Sequence, residues 1–467
     1  MPRSSPPLPP LVVAWFWMIL VWPLGDLLRK FAGLNEPIYI LHLLMPALVA
    51  GYLWQKKALR LHSSIVAPSL TLAALTGALA LYYAITTYTL FYLGVWLLCL
   101  SALIGPPFLL CAALPILENT RVVPRAAGNR LIASVAMLLI ANSILSVAQS
   151  VLGRSHFLSV GAGGALDSQI GTNTAIELRA PGLFTFVVGS ASFSVIAFIF
   201  LMGSLGFAVS KRTEFLRLLS LLLLPIALLR SISRQFLFNV LLAALPFIRI
   251  LTRARFILSA LGLSLVAILA LFFLPALQEL STEGYVNFVQ RFTEAGGLID
   301  GIVLRFFNQL FSDPTESGSL ITSFGSWFAD DPLAALFGYG LGFSSPLFRF
   351  VQGSSDSAYG FIIVDGKSFL LGETAFSSLF ADLGLFGLLS YLALLIQAFF
   401  LFLRKFPPLP LTAVRAPNFS SFLIFLISLN SVYFRPSSVF YTSLIVLTPA
   451  VCTLLSSSAG PATLSRR

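Results

Sequence analysis

Residues 11–28 read LVVAWFWMILVWPLGDLL, and they decide what kind of protein this is. Asp26 is their only charged side chain. As a helix they rise about 27 Å at 1.5 Å per residue, close to the ~30 Å hydrocarbon core of a bilayer. PRSSPPLPP precedes them, and no small-residue cleavage site follows. The stretch therefore reads as a retained first membrane helix instead of a cleaved signal peptide.

Further runs of the same kind follow near Ile38–Trp54, Ile65–Ile85, Leu90–Leu110, Leu131–Leu152, Leu183–Val209, Phe215–Leu229, Phe236–Leu251, Phe256–Leu274, Ala375–Leu403, Phe419–Phe434 and Val439–Leu455. With the first they make about twelve, the seventh, eighth and eleventh being short. Pro106 and Pro107 threaten to break the fourth, leaving residues up to Leu117 as an interfacial piece. The composition agrees: 57% of the 467 residues are hydrophobic, 10% are charged and the mean hydropathy is +0.92. A soluble protein carries about 25% charge. The expectation is an all-α, polytopic integral membrane protein. Cys99, Cys111 and Cys452 all fall in apolar runs and suggest neither disulfides nor a metal site.

Loop charge orients the helices. With the N-terminus inside, alternation puts Arg3, Lys56, Lys57, Arg60, Arg121, Arg125, Arg130, Lys211, Arg212, Arg217, Arg249, Arg253, Arg255, Arg404, Lys405, Arg415, Arg466 and Arg467 on the inner side, 18 of 29 basic residues. Every inner loop then obeys the positive-inside rule, and both termini are cytoplasmic. The net charge of +11 is accounted for as topology signal, which excludes a nucleic-acid partner.

Arg29, Lys30, Arg154, Arg179, Arg230, Arg234 and Arg435 run against this bias. Cations at an outer helix end need a structural partner or an anionic ligand. Arg230 and Arg234, in LLRSISRQFL, fall one turn apart on one face if the helix is continuous.

About a hundred residues between Leu274 and Ala375 form one large extracytoplasmic loop with eleven acids and four bases, Arg291, Arg305, Arg349 and Lys367. QRFTEAGGLIDGIVLRFFNQLF has helical spacing and puts Arg291 and Arg305 on short interfacial helices. In FGYGLGFSS, Gly338, Gly340 and Gly342 let the backbone turn tightly or approach a ligand. No strand precedes them, so a dinucleotide-binding reading fails. Asp330-Asp331 reads as a solvated loop start before Pro332 ahead of a metal site.

Four motifs occur in order: RAPGLFTFVVGSASF from Arg179, SISR at Ser231–Arg234, Arg305 ahead of FGYGLGFSS, and ETAFSSLFADLGLFGLLSYLALL from Glu373. Together they resemble the O-antigen polymerase and O-antigen ligase superfamily of bacterial inner-membrane glycan enzymes. The likeness spans roughly residues 179–403; the first 170 residues support it by hydropathy alone. It implies a metal-independent glycosyltransferase without cofactors, working at the extracytoplasmic face. Its substrate would be a polyprenyl-diphosphate-linked oligosaccharide, with membrane lipid around it and a chain-length regulator as a possible partner. It divides the chain into N-terminal helices (1–178), arginine-bearing helices (179–275), the large loop (276–374) and C-terminal helices (375–467).

A leaving diphosphate needs positive charge. Guanidinium groups stay ionised and grip phosphate oxygens in pairs. The candidates are Arg179, Arg230, Arg234 and Arg305, with Arg291 as an addition. Each has the alternative of a salt bridge to a loop acid. The acceptor hydroxyl also needs a base. Family ligases carry a histidine eleven residues before the first glycine of a GxxG pair. Here that pair is Gly384 and Gly387, and the position holds Glu373. A carboxylate replaces the imidazole, which counts against a ligase. Glu373 otherwise reads as an acid favoured by a helix N-terminus. Asp382, inside a membrane span, is a functional candidate or half of a buried pair. His42, His62 and His156 match no motif, and His156 is a distant alternative base on the outer side. The readings are a repeat-unit polymerase first, an O-antigen ligase second, and a transporter of a lipid-linked oligosaccharide or small anion third. A transporter suits twelve spans, but the sequence lacks two related halves with matching interruptions.

Overall fold

The computed structural model describes residues 8–113, 123–152, 156–159, 181–185, 187–231, 234–248, 332–343, 345–348, 351, 361–364, 367–370, 375–405, 415–421 and 436–457. They form α1 (Pro10–Phe31), α2 (Asn35–Gln55), α3 (Ser63–Thr86), α4 (Tyr92–Ala113), α5 (Arg125–Leu152), α6 (Val187–Gly203), α7 (Lys211–Ser231), α8 (Arg234–Ala244), the short α9 (Pro332–Phe337), α10 (Ala375–Lys405) and α11 (Pro436–Ser457). Eight of the described helices are long and apolar enough to cross a bilayer: α1 to α6, α10 and α11. The chain is thus a multi-pass α-helical membrane protein.

Expectation and structure differ at three places. α4 runs unbroken through Pro106 and Pro107. Prolines are tolerated in membrane helices because neighbouring elements re-satisfy the freed backbone groups. Here α2 closes against that point, and a Cβ on Gly105 would collide with the Pro46 ring. Among the described residues, the eighth apolar run gives the 11 residues of α8, followed by a 3-10 turn at Leu245–Phe247 that contains Pro246. Eleven residues reach about 16 Å, half of a bilayer core. Third, Arg230 belongs to α7, which runs to Ser231, and Arg234 opens a second helix, α8, with residues 232–233 outside the described residues. The all-α expectation holds, with one short hairpin added to the helices. Phe361–Val364 (β1) pairs antiparallel with Lys367–Leu370 (β2), and the sequence between them is Asp365-Gly366, a preferred two-residue hairpin turn.

α6 and α11 sit at the centre, each with 89% of its membrane window buried; α3 lies outermost, with 28%. α1 packs on α2 and α11, α4 on α2, α3 and α11, and α6 on α5, α7, α8 and α11. Lipid chains are as apolar as leucine, so polar bonds and close packing hold such helices together. Trp15 Nε1 donates to Thr448 Oγ1 (3.0 Å), joining α1 to α11. Trp96 Nε1 donates to Thr76 Oγ1 (3.1 Å), and Ser101 Oγ to the Leu43 carbonyl (2.9 Å). Asn142 Nδ2 donates to Ser190 Oγ (2.9 Å). Outward-facing Leu70, Ile85 and Leu90 are more than 60% exposed and form the lipid face around α3.

The two ends of the bundle differ. At one end the start of α5, the end of α6 and the start of α7 are tied together. Arg217 donates to the Ser204 carbonyl (2.8 Å), and Asn129 Oδ1 accepts from Ser210 N (3.1 Å). Ser210 also caps α7, its hydroxyl accepting from Thr213 N. This basic end holds Lys56, Lys57, Arg60, Arg125, Arg130, Lys211, Arg212, Arg217, Arg404, Lys405 and Arg415. Its one acid among the described residues, Glu214, is ion-paired with Arg217. The opposite end gathers the α1–α2, α3–α4, α5–α6 and α7–α8 connections together with the start of α10.

Candidate functional site

That opposite end carries two buried polar assemblies. In the first, the last turns of α1 and α5 grip the segment PGLFT (181–185), which directly follows the Arg179 dipeptide in sequence. Gly182 has φ +63°, and an added Cβ would run into Asn142. Its amide donates to Gln149 Oε1 (2.9 Å), and its carbonyl accepts from both Gln149 Nε2 (3.0 Å) and Lys30 Nζ (2.9 Å). Leu183 N donates to Asn142 Oδ1 (3.0 Å), and Thr185 N to Asp26 Oδ2 (3.4 Å). Arg29 NH1 donates to Asp26 Oδ1 at 3.1 Å, and its Nε donates to Asn35 Oδ1 at 3.0 Å. Asp26, Arg29 and Lys30 are each under 5% exposed. Buried charges persist where they are paired and hydrogen-bonded, which is the case for Asp26 with Arg29. Arg29 and Lys30 therefore have structural partners.

His156 belongs to the same end. Its ring packs on Phe157, and the 3-10 turn Phe157–Ser159 is held by Gln149 Nε2, which also donates to the Leu158 carbonyl (2.8 Å). One glutamine thus fastens both the His156 turn and Gly182.

The second assembly joins α10 to the glycine-rich segment that follows α9. α10 is broken at Gly384 (φ 61°, ψ −170°). A broken helix exposes carbonyls with no intrahelical donor. Tyr339 N donates to the Ala381 carbonyl (2.8 Å), and Gly340 N to the Asp382 carbonyl (3.1 Å). Gly342 N donates to the Asp382 carboxylate at Oδ2 (2.9 Å). Asp382, 1% exposed, therefore binds the segment through both its backbone and its side chain. Gly338, Gly340 and Gly342 all have φ between +80° and +102°. Side chains there would strike the Asp382–Gly384 backbone, the Tyr92 hydroxyl and Val95 respectively. The close approach these glycines allow is to the chain itself.

Three tyrosines finish the repair. Tyr83 at the end of α3, Tyr88 in the turn and Tyr92 at the start of α4 donate to the carbonyls of Gly338 (2.7 Å), Tyr339 (3.1 Å) and Leu341 (3.0 Å). Phe343 and Phe348 pack beneath, 5.0 Å apart and edge-on, with Phe348 also edge-on to Tyr88. Residues 334–348, read from sequence as part of the large extracytoplasmic loop, are thus a largely buried plug between α3, α4 and α10 in their described portion.

Of the sequence candidates, the structure places Asp382 in the second assembly, at a helix break instead of within a continuous span. Arg230 lies in the last turn of α7 and Arg234 begins α8. α5 and α7 start together at the basic end and pack along each other, so the α7–α8 connection comes to the same end as Lys30 and Gln149. Arg179, Arg291, Arg305 and Glu373 lie outside the described residues, as do Asp330 and Asp331. His42 is buried, its ring against Gly25 and edge-on to Phe440 at 5.0 Å. His62 precedes α3 and accepts from Ser64 N.

Sequence reading missed Asp26, Gln149, Asn142 and the tyrosine trio. Asp26 had a signal, an acid inside a membrane span. Gln149 and Asn142 had a weaker one, amides in an otherwise apolar run. No family model matches the chain, and no curated protein is significantly similar to it.

Proposed function

We propose that this protein is a polysaccharide polymerase of the bacterial inner membrane, joining polyprenyl-diphosphate-linked repeat units at the extracytoplasmic face. The observation that carries the reading is the convergence, at the end opposite the basic one, of described parts of all four ordered motifs. These are the clamped PGLFT segment after Arg179, the end of α7 with Arg230 and the start of α8 with Arg234, and the Asp382 break in α10 with the glycine segment of FGYGLGFSS bonded to it. The basic end is then cytoplasmic by the positive-inside rule, and both termini with it, in a bundle of about twelve spans.

In the proposed reaction an acceptor sugar hydroxyl attacks the anomeric carbon of the donor. A new C–O bond forms, the bond from that carbon to the diphosphate oxygen breaks, and polyprenyl diphosphate leaves. Glu373 takes the hydroxyl proton. Arg179, Arg230, Arg234 and Arg305, with Arg291 nearby, neutralise the charge gathering on the diphosphate; such preorganised charge contributes several kcal/mol in a site poor in water. The rigid second assembly makes Asp382 a positioning group for the start of α10, which follows Glu373 by two residues.

The test is purified protein given a lipid-linked repeat unit, with products resolved by mass. Oligomers of the repeat unit support the proposal. Transfer only when lipid A-core is added converts the reading to an O-antigen ligase. No transfer to either acceptor removes the enzyme.

The break in α10 favours a second reading, a transporter, because interrupted membrane helices with a buried acid are a common way to build substrate sites. It predicts uptake of lipid-linked oligosaccharide into proteoliposomes without any glycosyl acceptor. Among the described residues no second helix carries a matching break at a positive-φ glycine, which weighs against it.

A further inference from the structure

We propose that the paired starts of α5 and α7 form a binding site for the phosphate headgroup of an anionic phospholipid. This inference is independent of the polymerase reading. The two helix starts are fastened side by side: Asn129 of α5 accepts from Ser210, the residue before α7, and Arg125 Nε donates to the Ala208 carbonyl (3.2 Å). Arg125 and Arg130 therefore stand beside Lys211 and Arg212, and all four are exposed.

Among the described residues, no carboxylate cancels their charge. The nearby acid, Glu214, is held by Arg217, which is buried and also bonded to the Ser204 carbonyl. Arg125 spends its Nε on a neutral acceptor. Among the described residues Arg130, Lys211 and Arg212 meet no carboxylate. Four like charges crowd one another, and Arg125, Lys211 and Arg212 lie in the first turns of α5 and α7, at the positive ends of the helix dipoles, where cations are disfavoured. An anion from outside relieves this repulsion.

The position selects the anion. α5 is a membrane-crossing helix, and α7 runs alongside it. One turn beyond Lys211, Phe215 points outward and is 60% exposed, an aromatic ring at the boundary between headgroups and hydrocarbon. The cations thus stand at headgroup level with apolar surface directly below. A phospholipid satisfies both: its phosphate meets the guanidinium and ammonium groups, and its chains cover Phe215. Basic clusters flanking membrane helices attract anionic lipid in this way.

Native mass spectrometry of the full-length protein, released from bilayers of equal phosphatidylglycerol and phosphatidylcholine, tests the site. The wild type should retain phosphatidylglycerol selectively. Lys211→Gln/Arg212→Gln should weaken that retention by roughly tenfold or more, the share of two basic residues at a membrane surface. Adding Arg125→Gln and Arg130→Gln should abolish it. Lys56→Gln/Lys57→Gln, which removes the same charge from another helix end, should leave it intact. If the double variant folds poorly, the wild type still decides, because inorganic phosphate at millimolar concentration should not displace the bound lipid. Equal retention by the variants, equal loss in the Lys56/Lys57 control, or displacement by inorganic phosphate would each overturn the proposal.

Discussion

The carboxylate of Asp382 accepts the backbone amide of Gly342 at 2.9 Å, forty residues earlier in the chain. An acid in a membrane helix is thereby explained by a backbone donor that has no other described acceptor of its own. Asp382→Leu removes that acceptor and should destabilise the protein by about 1–3 kcal/mol, the penalty for a buried unsatisfied donor. Asp382→Asn keeps an oxygen in place and should cost less. Thermal unfolding in detergent checks the order. A wild-type melting temperature in the leucine variant would show that the bond contributes nothing.

Gly340→Ala brings a methyl group against the Tyr92 hydroxyl in a backbone conformation that side chains avoid. Strain of that kind alone costs about 1–3 kcal/mol, and the collision adds to it. Gly51→Ala, in α2 with open space around it, should instead stabilise by about 0.5–1 kcal/mol. The two substitutions should therefore move the unfolding temperature in opposite directions.

Arg29→Gln leaves the buried Asp26 carboxylate without its ion-pair partner and should cost about 3–5 kcal/mol. Restoring neutrality with Asp26→Asn in the same chain should recover part of the loss. Additive losses in the double variant, read from unfolding midpoints, would contradict an interacting pair.

Gln149→Leu strips Gly182 of its amide acceptor and one of its carbonyl donors, and frees the Leu158 carbonyl. Amide hydrogen exchange should rise across residues 181–185, while exchange in α3 and α4 stays as in the wild type. Unchanged protection at 181–185 would show that the clamp is redundant.

If the polymerase reading holds, Arg234→Lys should lower turnover of a lipid-linked repeat unit at least tenfold, about 1.4 kcal/mol of transition-state stabilisation, with normal membrane insertion. Glu373→Gln should bind donor yet fail to lengthen chains, seen as an unchanged ladder of products over time. Full activity in either variant removes that residue from the site.

Hydropathy made most of the helices legible, because spanning a bilayer demands long apolar runs whatever they pack against. What it could not supply was the direction of the chain between residues of equal polarity. Arg230 and Arg234 read as one helical face if the helix is continuous, and they fall instead in two helices, α7 and α8. The proline pair in α4 reads as a break, because the helix packed there, with Pro46 of α2 against the adjacent Gly105, is about sixty residues away in sequence. The Asp365-Gly366 hairpin was written locally and was overlooked amid helical signals. For the site, Asp382 was found by its oddness in an apolar run, whereas Tyr83, Tyr88 and Tyr92 look like ordinary interfacial aromatics until their acceptors come into place.

Those acceptors are about 250 residues downstream of the tyrosines. During synthesis α3 and α4 leave the ribosome long before the glycine segment exists, and the segment in turn precedes the broken helix it mends. Three phenolic hydroxyls must therefore wait at the membrane surface, solvated, until the last third of the polypeptide arrives to claim them. Assembly of this end is consequently a late, post-insertion event, and a chain truncated before α10 would carry an open slot between its third and fourth helices.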